Sequence, residues 1–164
     1  MPTAPRNPAA PITTLRLLFA NFCGAIVLIS VIVVVLGESG RDDPPVAWSV
    51  AIVVAVGVVA VAASRRLARR LDGSTDESLV TSYRTRFFVR MACSEAAALA
   101  GFAVNLTLGP WWVYFVGLPF TVVGFALAAP TAGNIERDQA ALRAEGCHRP
   151  LGRLLGVRDA GLVS

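Results

Sequence analysis

Glu95 is the residue whose type and position most suggest chemistry. It stands inside an apolar stretch running from Phe87 to Leu108, roughly 12 Å along a helix from where that stretch begins. A charged carboxylate at membrane depth costs about 2.5 kcal/mol or more, so the neutral, proton-bearing form is the cheaper state. A group that holds a proton in a membrane and can release it is the minimum part of a proton-coupled device. The structural alternative is a hydrogen-bonding clasp between helices. Arg90 lies five residues earlier, about 140° around the helix, which makes an intrahelical ion pair unfavourable. That side chain is expected to snorkel toward the near interface. Any partner for Glu95 must then come from Asn21, Ser30, Thr121 or the Tyr114 hydroxyl, the polar groups of the other apolar runs.

The rest of the chemical inventory is sparse. Cys23 and Cys93 sit in apolar runs and Cys147 in a basic tail. Three scattered thiols give no disulfide framework, and small buried thiols pack much as Ala does. His148 has no further ligands in sequence reach, so no metal site is expected. No G-x-S-x-G, Walker loop or H-E-x-x-H occurs. The expectation is a non-enzymatic protein without cofactors. Asn105-Leu106-Thr107 matches a glycosylation sequon, but it lies at the end of an apolar run, too close to a bilayer to serve. The net charge of +4 and pI ≈ 9.6 do not point to nucleic acid, because the arginines flank apolar runs and no nucleic-acid-binding pattern accompanies them.

The elements that must carry Glu95 follow from composition. Of 164 residues, 55% are hydrophobic and 16% charged, and mean hydropathy is +0.62. A soluble domain carries about 45–50% apolar and about 25% charged residues, so both departures favour lipid. We expect an all-α fold, a membrane four-helix bundle of two hairpins with a short cytoplasmic C-terminal helix. The spans fall at about residues 15–37, 46–64, 86–108 and 111–129, within a transmembrane domain of residues 15–130. The first run, Leu17 to Leu36, is too long for a signal-peptide core of about 7–15 residues and is not followed by a small-residue cleavage site. Gly109-Pro110 marks the turn between the third and fourth spans.

Arginine placement sets the expected orientation. All 15 basic residues are Arg, and with the abundant Ala, Gly and Val this suits a GC-rich bacterial source. Six of them (Arg65, Arg66, Arg69, Arg70, Arg84 and Arg86) connect spans two and three, and five more (Arg137, Arg143, Arg149, Arg153 and Arg158) follow span four. The other two connections hold only Arg41. The positive-inside rule therefore predicts a multi-pass protein of the bacterial plasma membrane with both termini cytoplasmic. Trp48, Trp111, Trp112 and Tyr114 fall near the opposite interface, as aromatic anchors should. Residues 1–14, with four prolines, read as a disordered arm. Residues 131–164 read as a cytoplasmic amphipathic tail. It holds one helix, capped by Thr131 and stopped at Gly146. Beyond it Leu151, Leu154 and Leu155 stand among arginines, in a segment that either lies on the membrane surface or frays.

Small residues supply the expected packing faces. Ala92, Ala96 and Ala100 line one side of span three, with Cys93, Ala97 and Gly101 adjacent. Gly117, Thr121, Gly124 and Ala128 recur at spacings of four, three and four on span four. Such stripes let backbones approach closely where lipid removes the hydrophobic drive. They predict a tight hairpin of spans three and four, with Pro119 kinking the latter. The partners expected are the bilayer, and either a second copy or a larger membrane complex. A shift of 70 positions lays Arg16 on Arg86 and Cys23 on Cys93, consistent with a duplicated hairpin in which Ala25 takes the place of Glu95.

The segment from Ser82 to Cys147, SYRTRFFVRMACSEAAALAGFAVNLTLGPWWVYFVGLPFTVVGFALAAPTAGNIERDQAALRAEGC, resembles small actinobacterial four-span membrane proteins; that resemblance implies a fold and no activity. The stretch SEAAALAGFAV around Glu95 is locally similar to the ion-binding helix of rotary ATPase proteolipid c subunits. In that family the carboxylate sits on the return helix of a hairpin whose loop is cytoplasmic. Here it sits on the outgoing helix. Small multidrug resistance transporters also have four spans and one embedded Glu, but in their first span. Two functions follow as expectations: an accessory or assembly subunit acting by helix packing, and a proton-coupled transporter or channel component using Glu95.

Overall fold

The structure, a computed structural model, describes residues 10–37, 46–66, 71–107 and 110–157. Most of the N-terminal arm, the first loop with Arg41, Arg69 and Arg70, Gly109 of the predicted turn, and Arg158 lie outside the described residues. Among the described residues all regular structure is helical: α1 (Ala10–Leu36), α2 (Val46–Arg66), α3 (Asp76–Thr107), α4 (Val113–Ala128), α5 (Ala132–Ala144) and α6 (Leu151–Leu154).

Three of these helices, α1, α2 and α3, are long and apolar enough to cross a membrane; a fourth crossing is reached if α4 and α5, bent by 63° at their junction, are counted as one. α4 alone has 16 residues, about 24 Å, which is short of a 30 Å hydrocarbon core. Its helix begins after Trp111 and Trp112, which form a turn rather than the first residues of the span.

Two helices start earlier than the apolar runs imply. α1 begins at Ala10, within the stretch expected to be a free arm. Pro11 is no obstacle there, because a first-turn N–H has no helical acceptor to lose. α3 runs unbroken for 32 residues from Asp76. Its start is fixed by a reciprocal cap: Ser78 N–H donates to Thr75 Oγ1 at 3.0 Å, and Thr75 N–H donates to Ser78 Oγ at 3.0 Å. Two orphan donors of the first turn are thereby satisfied.

The chain divides into two compact units. Unit 2 comprises Asn21–Arg69 and Arg86–Ala128. Val33 of α1, Ala98 of α3 and Tyr114 of α4 form one buried cluster in it, and Val53 of α2, Val104 of α3 and Val113 of α4 form another. α2 lies against α4, where Gly57 makes room for the Phe120 ring: a Cβ at Gly57 would stand 2.6 Å from Phe120 Cγ.

Unit 1 comprises Met1–Ala20, Arg70–Thr85 and Ala129–Ser164. Its buried apolar side chains include Leu15, Leu79, Leu142, Leu151 and Leu155. Leu151 and Leu155, expected at a membrane surface or in a frayed end, are instead fully enclosed by the chain. Their local fold explains this. Gln139 grips the tail at two points, donating to Arg149 O at 2.9 Å and accepting from Leu151 N–H at 2.6 Å. Arg149 donates to the Asp76 carboxylate and to Ser74 O. α5 is capped at its start by Thr131, whose hydroxyl accepts from Asn134 N–H. Its end is a left-handed stop at Gly146 (φ 85°), with Cys147 N–H donating back to Leu142 O at 2.9 Å. Gly156 (φ 75°) ends α6 in the same way, Val157 N–H donating to Gly152 O. Only glycine takes that conformation without a Cβ penalty.

Candidate functional site

The seam between α3 and α4 is built by contact of backbone on backbone. A Cβ at Gly117 would lie 2.5 Å from Ala97 O, and one at Gly101 would lie 3.0 Å from Tyr114 Cα. At Gly124 a Cβ would collide with the Ser94 hydroxyl and lie 2.5 Å from Ser94 Cβ. Contacts therefore pair Gly101 with Tyr114, Ala97 with Gly117 and Ser94 with Gly124, an antiparallel order. Ser94 is accommodated because its hydroxyl donates to Arg90 O at 2.7 Å within its own helix. Thr121 does likewise, donating to Gly117 O at 3.4 Å.

On α4 the residues expected to pack, Gly117, Thr121, Gly124 and Ala128, are all buried. On α3 the contact face differs from the expected one. Gly101 is in it, but Ala92 is exposed and Ala96 and Ala100 are half-buried. The buried residues are Ser94, Ala97, Ala98 and Gly101. At 100° per residue, the alanine stripe is turned away from α4, and Ser94 sits where a small residue was needed. Ser94–Gly101 and Gly117–Gly124 are both pairs seven apart, and that matched spacing is the signal that could have set the phase.

Tyr114 also departs from expectation. Placed by sequence among the interface anchors, it is fully buried. Its hydroxyl donates to Ile26 O at 3.2 Å and lies 3.1 Å from Ser30 Oγ, which itself donates to Ile26 O at 2.8 Å. The aromatic body fills the α1–α3–α4 cluster, and a phenol so enclosed needs an internal acceptor, which Ile26 O supplies. Trp48, Trp111 and Trp112 are exposed. Trp111 packs over Gly37 at the end of α1, where a Cβ would meet Trp111 Cβ at 2.8 Å, and meets the Phe115 ring edge-on at 5.8 Å.

Glu95 remains outside all of this. It is half-buried, at the margin between the buried residues Met91 and Ala98 and the exposed residues Phe88, Ala92 and Leu99. Among the described residues its carboxylate takes no hydrogen bond and no ion pair. Ser30, Tyr114 and Thr121, three of the four groups available in sequence, bond to one another or to backbone carbonyls instead. The fourth, Asn21, is exposed on α1. Among the described residues no three His, Cys, Asp or Glu side chains come together as a metal would require. Comparison with protein-family models, curated proteins and solved structures finds no match.

Proposed function

We propose that the chain is a non-enzymatic accessory or assembly subunit of a bacterial plasma membrane complex, in which Glu95 clasps a partner helix. The observation that carries this is the position of the carboxylate. It stands on the margin of an apolar helix face, beside Phe88, Ala92 and Leu99, with no acceptor or donor from the described residues of its own chain. Hydrocarbon offers no hydrogen bonds, so a polar group there is held by protein or water. In this reading α4, extended by the turn at Trp111–Trp112 before it and by Ala129–Pro130 after it, makes a short fourth span, the four spans form two hairpins, and both termini with α5 and α6 face the cytoplasm. The support for that orientation is the arginine bias of the middle loop and tail.

The experiment is affinity capture of the membrane-extracted chain carrying Glu95→Gln or Glu95→Ala. Gln keeps a hydrogen-bonding head and is expected to recover the wild-type set of co-purifying membrane proteins. Ala is expected to lose it while the chain stays helical and monodisperse. If Ala recovers the same set, the clasp is wrong. If Gln fails as completely as Ala, proton release from Glu95 is what matters, and the proton-coupled transporter or channel component becomes the better account.

A further inference from the structure

Unit 2 carries a groove of about 490 Å³ between α2 and α4, lined by Val58, Val61 and Ala62 on one wall and by Pro119, Phe120 and Val123 on the other, with Arg65 at one end. The α2 wall follows from spacing: Val58, Val61, Ala62 and Arg65 are at i, i+3, i+4 and i+7, one face of a helix. The floor follows from Gly57, which lets the Phe120 ring settle against α2. On the α4 wall Pro119 sits inside the helix and removes a helical N–H there. Val58 and Val123 are both about half exposed, so the groove opens sideways toward whatever surrounds the bundle.

From Val58 to Arg65 the wall rises about 10.5 Å, most of the roughly 15 Å depth of one hydrocarbon leaflet. Arg65 is exposed and forms no ion pair among the described residues. An apolar slot most of one leaflet deep, ending at a guanidinium that forms no ion pair among the described residues, complements a molecule with an apolar chain and an anionic head. We propose that this groove is a binding site for an anionic phospholipid of the leaflet at the Arg65 end of α2, one acyl chain lying along Phe120 and the phosphate meeting Arg65.

The test is native mass spectrometry of the full chain released from vesicles of equimolar phosphatidylglycerol and phosphatidylcholine. Wild type is expected to retain phosphatidylglycerol over phosphatidylcholine by about fivefold, the weight of one basic residue near an anionic surface. Arg65→Gln is expected to bring the ratio close to one. Arg66→Gln, a neighbouring charge that does not line the groove, is expected to leave it unchanged. Ala62→Phe fills the slot and should lower retention of both lipids; Val123→Trp plugs it from the opposite wall and decides the matter if Ala62→Phe does not fold. Equal retention of the two lipids by wild type, an Arg66→Gln loss as large as that of Arg65→Gln, or undiminished retention in a folded plugged variant would each overturn the site.

Discussion

The two units hold themselves together by different means. Unit 2 relies on the absence of side chains: Gly57, Gly101, Gly117 and Gly124 each leave room for a neighbour that a single methyl would displace. Unit 1 relies on their presence, with leucines enclosed and Gln139, Arg149 and Thr131 tying backbone ends. The contrast matches what lipid and water each reward. Between apolar helices in lipid no water is released by contact, so dispersion at close range does most of the work. A segment bathed in water can draw on burial of leucines, and its helix ends must be satisfied one by one.

If that contrast is right, the largest effect comes from putting a methyl into the seam. Gly117→Ala sets a Cβ against the Ala97 carbonyl, which is backbone and cannot swing aside. It is expected to lower the unfolding free energy in detergent by about 1–3 kcal/mol. Gly24→Ala on α1 is its control: a Cβ there meets nothing within 4 Å, so helix propensity alone predicts no loss and a gain of up to about 1 kcal/mol. Equal losses from the two would remove the case for a packed seam.

Gln139→Ala comes next, because it releases Arg149 O and Leu151 N–H together. A cost of about 1–2 kcal/mol is expected to appear as faster amide exchange from Leu151 to Val157, with the α3–α4 amides unchanged. Arg149→Ala should do less, under about 1 kcal/mol, since both it and Asp76 are substantially exposed. Tyr114→Phe probes the hydrogen-bond cluster of Tyr114, Ser30 and the Ile26 carbonyl inside unit 2. Its expected cost is about 0.5–1.5 kcal/mol, because Ser30 still reaches Ile26 O.

The smallest effect is set by pH at the turn before α3. Ser74 N–H donates to the Asp72 carboxylate at 2.9 Å and, with the Ser74 hydroxyl, holds its pKa below the ordinary 3.8. A depressed folded value means the contribution is fully present above the ordinary value and is lost as pH falls through the lowered one. Protease nicking of residues 71–75 is therefore expected to rise in strong acid and to be flat from pH 5 to 8. A change within that neutral window would assign the turn's stability elsewhere.

How much of this was legible beforehand depends on what each feature needs. Three apolar runs declare α1, α2 and the later part of α3, because length and hydropathy are properties of one segment. Thr131 and Gly146 declare the ends of α5 for the same reason: a cap is local. The phase of α3 against α4 is not local. Ala92, Ala96 and Ala100 form as good a stripe as Ser94, Ala97 and Gly101, and the opposing helix decides between them. Tyr114 suits both an interface and a core by its type, and the Ile26 carbonyl that tips the balance is 88 positions away. Leu151 and Leu155 likewise needed Gln139 and the loop before α3 to become interior residues. For Glu95, its place inside an apolar run was readable, whereas the lack of a donor or acceptor beside it among the described residues was not.

Cys147 rests on Gly73, so close that a Cβ at residue 73 would overlap its sulfur. It is half-buried there, its thiol facing Gly73 O at 3.9 Å. The other two cysteines lie within α1 and α3. That contact slows alkylation of Cys147 by a water-soluble reagent, and loosening of the tail from the loop is expected to raise its rate.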